Sequence, residues 1–263
     1  MRLSLNTVTL KEKWGLAECI EGCARHGVPG ISPWRDVLQA IGVQAAAKRI
    51  RDAGLTVTGL CRGGMFTGPD AIEDNRRAIA EAHVIGARCL VMVCGGLHPG
   101  SKDLPGARAA VRDGLHAILP EARAAGVTIA LEPLHPMTCA DRSVLSTLGQ
   151  ALDLCDELGE GVGVALDVYH VWWDPDLERQ IARAGPRIAA FHVCDWKVPT
   201  EDTVFDRGVP GEGVIDIPRI RGMVERAGYD GGFAEVEILS RRWWAQDPDA
   251  MLELLKQRHE TAV

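Results

Sequence analysis

The chain has 263 residues, 46% hydrophobic and 25% charged, a composition that suits one large α/β domain or two small ones. A net charge of −7 with no basic stripe argues against a nucleic-acid surface, and no apolar run reaches the roughly 18 residues of a membrane span. Met1-Arg2-Leu3-Ser4 lacks a signal peptide's apolar core, and the eight cysteines form no Cys-x-x-Cys pair, so free thiols in a reducing cytoplasm are expected.

The chain reads as a repeated strand–helix unit. Leu3 to Asn6 is a first strand and Trp14 to Arg25 a first helix. Val28 to Ile31 is a short second strand, and a helix from about Val43 to Ala53 stops at Gly54. Leu55 to Cys61 forms a third strand, followed by a helix from about Asp70 to Gly86; Cys89 to Cys94 forms a fourth. A helical stretch from Asp103 to Ala125 contains Pro120, which is expected to break or kink it. Val127 to Glu132 is strand five, with Ser143 to Leu158 as its helix.

Strand six carries the clearest pattern. Val162, Val164 and Leu166 point one way while Gly163, Ala165 and Asp167 point the other, the period of a strand. His170 follows where the chain turns, and Asp174-Pro175-Asp176-Leu177 reads as a helix start. Ile188 to Val193 is strand seven. A long loop with Gly211-Glu212-Gly213 then leads to a helix near Ile217-Pro218. Phe233 to Ile238 is strand eight, and Asp247 to about His259 closes the chain. Eight βα units without a linker predict a (β/α)8 TIM barrel, a single domain over residues 1–263. The alternative, a doubly wound open sheet, lacks a strand that leads into G-x-G-x-x-G.

Four consecutive late strands end in residues that ligate metals. Their inward faces read Thr128-Ala130-Glu132, Gly163-Ala165-Asp167, Ile188-Ala190-His192 and Phe233-Glu235-Glu237. In the first three an alanine precedes the polar residue by two, leaving room in the layer beneath. A barrel's active site lies at this rim. Three carboxylates converging there with an imidazole would repel one another unless a cation sat between them. Strand eight offers two candidates on one face. Glu132 and Asp167 lie six residues after a glycine, His192 seven, Glu237 five and Glu235 only three, which favours Glu237 as the ligand. The oxygen-rich set favours Mn²⁺, Mg²⁺ or Co²⁺ over a closed structural zinc site. Mn²⁺ is the first choice, with Zn²⁺ a further alternative. All seven tryptophans follow a strand, so an aromatic-walled sugar site is expected, with Trp34 and Trp196 as substrate-binding residues.

Leu131-Glu132-Pro133-Leu134-His135-Pro136, Asp167-x-x-His170, Phe191-His192-Val193-x-Asp195, Pro210-Gly211-Glu212-Gly213 and Glu235-Val236-Glu237-Ile238 resemble the sugar phosphate isomerase/epimerase family. That family belongs to the xylose-isomerase-like barrels, with ketose 3-epimerases, inosose isomerases and inosose dehydratases among its members. The resemblance covers essentially the whole chain. It implies Glu132, Asp167, His192 and Glu237 as metal ligands, Glu132 and Glu237 as bases, and His170 as a substrate-contacting, catalytic histidine. Two departures stand out. The epimerases' further Glu corresponds to Thr138, and their Arg after the metal histidine to Val198, with Arg207 in the same loop as its replacement. His135 is a further candidate for substrate contact.

These parts imply a cytoplasmic, metal-dependent isomerase or epimerase that works through an enediolate of a sugar or cyclitol α-hydroxyketone. A lyase or dehydratase on an inosose, 3-keto-sugar or 3-keto-glycoside shares the same site and is the alternative. An apurinic-site endonuclease is disfavoured by the acidic balance and by having only eight histidines, with His26, His83, His116 and His259 placed in helices. A non-catalytic sugar-binding barrel would be expected to have lost ligands, and here none is missing. The expected partner is a small sugar or cyclitol, with no nucleic acid and no membrane; a homo-oligomer is left open.

Overall fold

Alternating apolar residues build nine parallel strands, which the computed structural model, describing all 263 residues, wraps into a barrel. They are β1 (Arg2–Asn6), β2 (Gly30–Ser32), β3 (Thr56–Val57), β4 (Leu60–Gly64), β5 (Cys89–Val93), β6 (Thr128–Leu131), β7 (Val162–Asp167), β8 (Ile188–Val193) and β9 (Phe233–Val236). The order is β3-β2-β1-β9-β8-β7-β6-β5-β4, with β1 pairing β9 so that the two ends of the chain meet. The third expected strand is two pieces, β3 against β2 and β4 against β5, separated by Thr58-Gly59. Cys61 N–H still donates to Pro33 O at 2.9 Å, so nine strands fill eight barrel positions.

The main apolar core lies between strands and helices, and a smaller inner cluster of Cys61, Cys89, Val91, Ala130, Ala165 and Ala190 fills the barrel itself. Ala130, Ala165 and Ala190 are the residues two before Glu132, Asp167 and His192. Small side chains there let the polar layer above sit deep without overpacking.

Several boundaries differ from the sequence reading. A helix at Arg35–Ile41 precedes the expected one at Val43–Asp52. Pro120 sits inside a single helix, Leu104–Ala124, where buried Leu115, Ile118, Leu119 and Ala122 flank it on both sides. Burial of that face outweighs the backbone hydrogen bond that proline removes. Residues 143–147 form no helix, and the helix expected from Ser143 starts only at Leu148, capped by Thr147. The helix after β7 starts at Leu177 rather than at Pro175, and a short one at Val168–Val171 comes before it. Trp14 packs over Gly22, where a Cβ would meet its ring at 2.2 Å, and so belongs to the helical layer rather than to a sugar pocket. All eight cysteines are unpaired, and no helix is long and apolar enough to cross a membrane.

Candidate active site

Strands β6, β7 and β8 and the residue that follows β9 deliver Glu132, Asp167, His192 and Glu237 to one place. Register makes this possible: Asp167 lies opposite His192, and Glu237 N–H donates to Val193 O at 3.3 Å. One ligand atom from each of the four lies within 4.8 Å of the others, and all four residues are buried. His192 Nδ1 is 3.2 Å from Glu132 Oε1 and 4.0 Å from Glu237 Oε2. Glu132 Oε1 and His192 Nδ1 have no hydrogen-bond partner in the chain, although buried polar atoms are almost always paired. Two unpartnered donor atoms facing each other across three carboxylates fit a bound divalent cation.

Electrostatics point the same way. Burial pushes the Asp167 carboxyl up to about 7 against the pull of Arg207, with Glu237 and Glu132 adding to the rise. Burial opposes a charged His192, yet Glu235, Glu132 and Glu237 outweigh it and hold the imidazole well above its ordinary range. Protons are drawn to the site because Arg207 alone offsets too little negative charge. A divalent ion would supply the remainder, which the donor set suits.

Glu235 is not in that group. Its Oε1 accepts Asn6 Nδ2–H at 2.8 Å, its Oε2 accepts the Thr58 hydroxyl at 2.8 Å, and His192 Nε2 lies 3.3 Å from Oε1. It therefore lies beside the far nitrogen of the imidazole, which like Nδ1 makes no hydrogen bond within the chain, at the position from which a carboxylate orients a ligating histidine. Asn6 also donates to Glu237 Oε1 at 3.1 Å, tying the two glutamates together.

Arg207 comes from the long loop after β8. Asp195 fixes that loop. It exchanges two 2.9 Å backbone hydrogen bonds with Gly208, and its carboxylate accepts from Gly211 and Ile215 N–H. A Cβ at Gly213 would meet Trp196 O at 2.2 Å, so this turn admits only glycine. Arg207 Nη1 donates to Asp167 Oδ2 at 2.9 Å and Glu237 Oε2 at 3.1 Å, while its guanidinium stacks over Tyr169. Although burial disfavours its charge, Asp167 and Glu237 hold it ionised.

His170 Nδ1 accepts the His135 N–H at 3.1 Å, and its Nε2 faces the donor Arg207 Nη2 at 3.1 Å, with Asp167 Oδ2 3.7 Å away. Burial, and then Arg207, push its pKa well below the usual imidazole value, so the ring is neutral. His135 and Trp196 lie apart from the carboxylates, in an aromatic cluster with Tyr169, Trp172 and Trp173. Thr138 is buried and donates to His135 O; Val198 is 71% exposed.

A narrow inner cavity is lined by Glu132, Glu237, His170, Arg207, Cys61 and Trp34, among others. It shares Trp34, Arg62, Val93, Arg142 and Leu239 with an outer cavity of about 460 Å³. A second cleft of about 540 Å³ lies at the opposite end, by the strand starts at Thr128, Val162 and Ile188. In barrels that face serves stability rather than chemistry.

The model of the xylose isomerase-like TIM barrel family matches residues 20–258. The chain belongs to this family. Protein SMc04130 of Sinorhizobium meliloti 1021 is 53% identical, with a TM-score of 0.96 over 99% of this chain and 98% of that one. L-ribulose-5-phosphate 3-epimerase UlaE of Escherichia coli (strain K12) is 26% identical over 226 residues, 81% of this chain and 74% of its own. The IOLI protein, solved with a bound zinc atom, superposes with a TM-score of 0.85 at 20% identity, covering 98% and 96% of the two chains. At that identity it supports the fold alone, whereas the curated relatives support an enzyme of the sugar-epimerase kind.

Within this xylose isomerase-like barrel, the sequence reading passed over Asn6 and Thr58. Ser4 and Asn6 alternate with Leu3 and Leu5, so their inward direction was readable; what they meet there was not. Arg62 and Arg142 also line both cavities; Arg62 lies in β4, whose Leu60-Cys61-Arg62-Gly63-Gly64 has no clear alternation, and Arg142 in a turn without periodicity.

Proposed function

We propose that this chain is a divalent-metal-dependent isomerase or epimerase acting on the α-hydroxyketone of a sugar or cyclitol. The observation that carries it is the convergence of Glu132, Asp167, His192 and Glu237 with Glu132 Oε1 and His192 Nδ1 unpartnered. The name of the relative UlaE adds support for sugar epimerase chemistry. A divalent ion held by these four residues would supply Lewis-acid stabilisation of the charge that develops as the α-hydrogen leaves. Mn²⁺ is the proposed ion, with Mg²⁺, Co²⁺ or Zn²⁺ as alternatives.

The chain's own groups divide the remaining work. Glu132 lines the cavity and takes the α-hydrogen as a proton, leaving an enediolate. Glu237 stands three strand positions away and returns a proton to the opposite face, which gives the epimer. Return to the adjacent carbon gives the aldose. Arg207 keeps Asp167 and Glu237 in place, and Trp34 supplies an apolar wall for the ring or chain carbons. A cytoplasmic setting fits the unpaired thiols. A lyase is the second reading, favoured by His170 and Arg207: both line the cavity beside Glu132 and Glu237, where the guanidinium can hydrogen-bond a departing hydroxyl that leaves with the proton Glu132 has taken.

The deciding test is a screen of ketohexoses, inososes and 3-keto-glycosides in D₂O with Mn²⁺. Exchange of an α-hydrogen is expected for at least one class, with product stereochemistry separating epimer, aldose and elimination product. No exchange in any class would overturn the proposal.

The aromatic residues carry a separate prediction. Trp34→Ala is expected to weaken ketose binding about tenfold, because it removes a cavity wall and the packing energy of one aromatic face. Trp196→Ala, packed among Tyr169, His135 and Trp172, is expected to act mainly on the melting temperature. Calorimetric titration and thermal melts of both variants check this; equal binding losses would contradict the assignment.

A further inference from the structure

The chain is acidic overall, yet the outer cavity is lined by Lys11, Arg62 and Arg142 with Asp141 as the single acid. Neither guanidinium is spent inside the protein. Most other partly buried arginines, such as Arg35 and Arg183, hold carboxylates, and buried Arg207 holds two; Arg108 and Arg258 form no ion pair but line neither cavity. Arg62 and Arg142 form no ion pair, donate no side-chain hydrogen bond, and remain only half-buried. Asp141, next to Arg142 in the chain, forms no ion pair with either. Two unpartnered arginines facing one cavity repel each other, and Arg142 is the more strained. Burial lowers its pKa most, and the like charges of Arg207 and Arg62 lower it further, more than the attraction of Glu132 and Glu237 restores. Packing of this kind is costly unless a ligand supplies the missing negative charge.

Their position fixes where that charge would sit. Arg62 and Arg142 line both the outer cavity and the inner one that reaches Glu132 and Glu237, as do Trp34, Val93 and Leu239. A ligand with its reacting carbons against the two glutamates would pass Trp34 and present its far end to the arginines. Resting on the function proposed above, we infer that the substrate carries an anionic group, phosphate or carboxylate, at the end remote from the reacting carbons, and that Arg62 and Arg142 bind it. A planar guanidinium matches either oxyanion with paired N–H donors, and Lys11 at the rim adds attraction on approach.

The experiment is calorimetric titration of the Mn²⁺-supplemented protein with three matched ligands: a ketohexose, its terminal phosphate ester and its terminal carboxylate. Wild type, Arg62→Gln, Arg142→Gln and the double variant are compared, each at low and high salt. Wild type is expected to bind one charged ligand at least about tenfold more tightly than the neutral ketose, with the preference shrinking at high salt. Each single variant is expected to reduce that preference about tenfold or abolish it, and the double variant to abolish it. Tighter binding of the ester assigns phosphate; tighter binding of the acid assigns carboxylate. No charged preference in wild type overturns the inference, as does a preference that survives in the double variant. The salt dependence of wild type stands even if a variant folds poorly. Binding is read without turnover, so the two readings fail separately. Absence of α-hydrogen exchange sinks the proposed reaction and leaves the charge preference standing.

Discussion

Glu132→Gln and Glu237→Gln are expected to lower net turnover by about a hundred- to ten-thousandfold, the range that positioned acid–base groups contribute. Glutamine keeps an oxygen and the volume but cannot accept the α-hydrogen. The two sites are not equivalent in the structure. Glu237 is hydrogen-bonded on both oxygens, by Asn6 and Arg207, whereas Glu132 Oε1 has no partner. Glu237 is thus held in one orientation by hydrogen bonds, whereas no hydrogen bond within the chain fixes the Glu132 side chain. Epimerisation with two bases predicts that each variant still exchanges the α-hydrogen of one epimer while net conversion collapses. Elimination needs one base for deprotonation, so Glu132→Gln would lose both exchange and turnover while Glu237→Gln keeps much of each. Deuterium exchange and turnover measured side by side, with bound metal quantified, separate these outcomes. Full activity in both variants would falsify the two-glutamate mechanism in either form.

The barrel was legible because its signals are local. Strand β7 alternates residue by residue, glycine closes helix after helix, and the unit repeats to the end of the chain. The four side chains that meet in the structure are those that end the last four inward faces, for the same reason: a strand's period of two fixes direction, and its last residue stands at the rim. The small residues beneath them were legible too, since Ala130, Ala165 and Ala190 sit two positions earlier on each strand.

What the sequence left unread depends on contacts between distant segments. The glycine spacing sets Glu235 aside as a ligand without saying what it meets. The partners are Asn6 and Thr58, 229 and 177 residues away, and no spacing reveals such a pair. Arg207, expected as the replacement for a substrate-binding arginine, lines the inner cavity, and its guanidinium also lies on Asp167 and Glu237, a placement set by the Asp195 loop anchor. The seven tryptophans share one pattern in the chain and divide in space: Trp34 lines the cavity, Trp196 joins a flanking cluster and Trp14 packs between helices. Position after a strand fixes which end of the barrel a residue is near, but not which way a loop residue turns.

Divalent metal is expected to raise the melting temperature of the wild-type protein, and His192→Ala to remove that response. At a free ion concentration a hundred times Kd, binding to the folded state alone adds about 2.7 kcal/mol. For a chain of this size that corresponds to a rise of about 5–10 °C. His192 contributes the only nitrogen among the four donors, and its Nδ1 has no other partner to lose. Its removal leaves three carboxylates that still attract cations but do not fix one, so the melting shift should shrink to that of exposed carboxylates. Glu235→Gln gives the finer comparison. It preserves all four donors and changes only the group 3.3 Å from His192 Nε2, along with the acceptors of Asn6 and Thr58. Loss of that bracing is expected to weaken metal affinity about ten- to a hundredfold, with binding still stoichiometric. Thermal melts across a Mn²⁺ titration, with metal content measured after gel filtration, provide both readings. An equal melting shift in wild type and His192→Ala would place the ion elsewhere, and the proposed chemistry would lose its foundation. A Glu235→Gln variant that binds no metal would instead make Glu235 itself a ligand, and the division between Glu237 at the rim and Glu235 beneath it would have to be reversed.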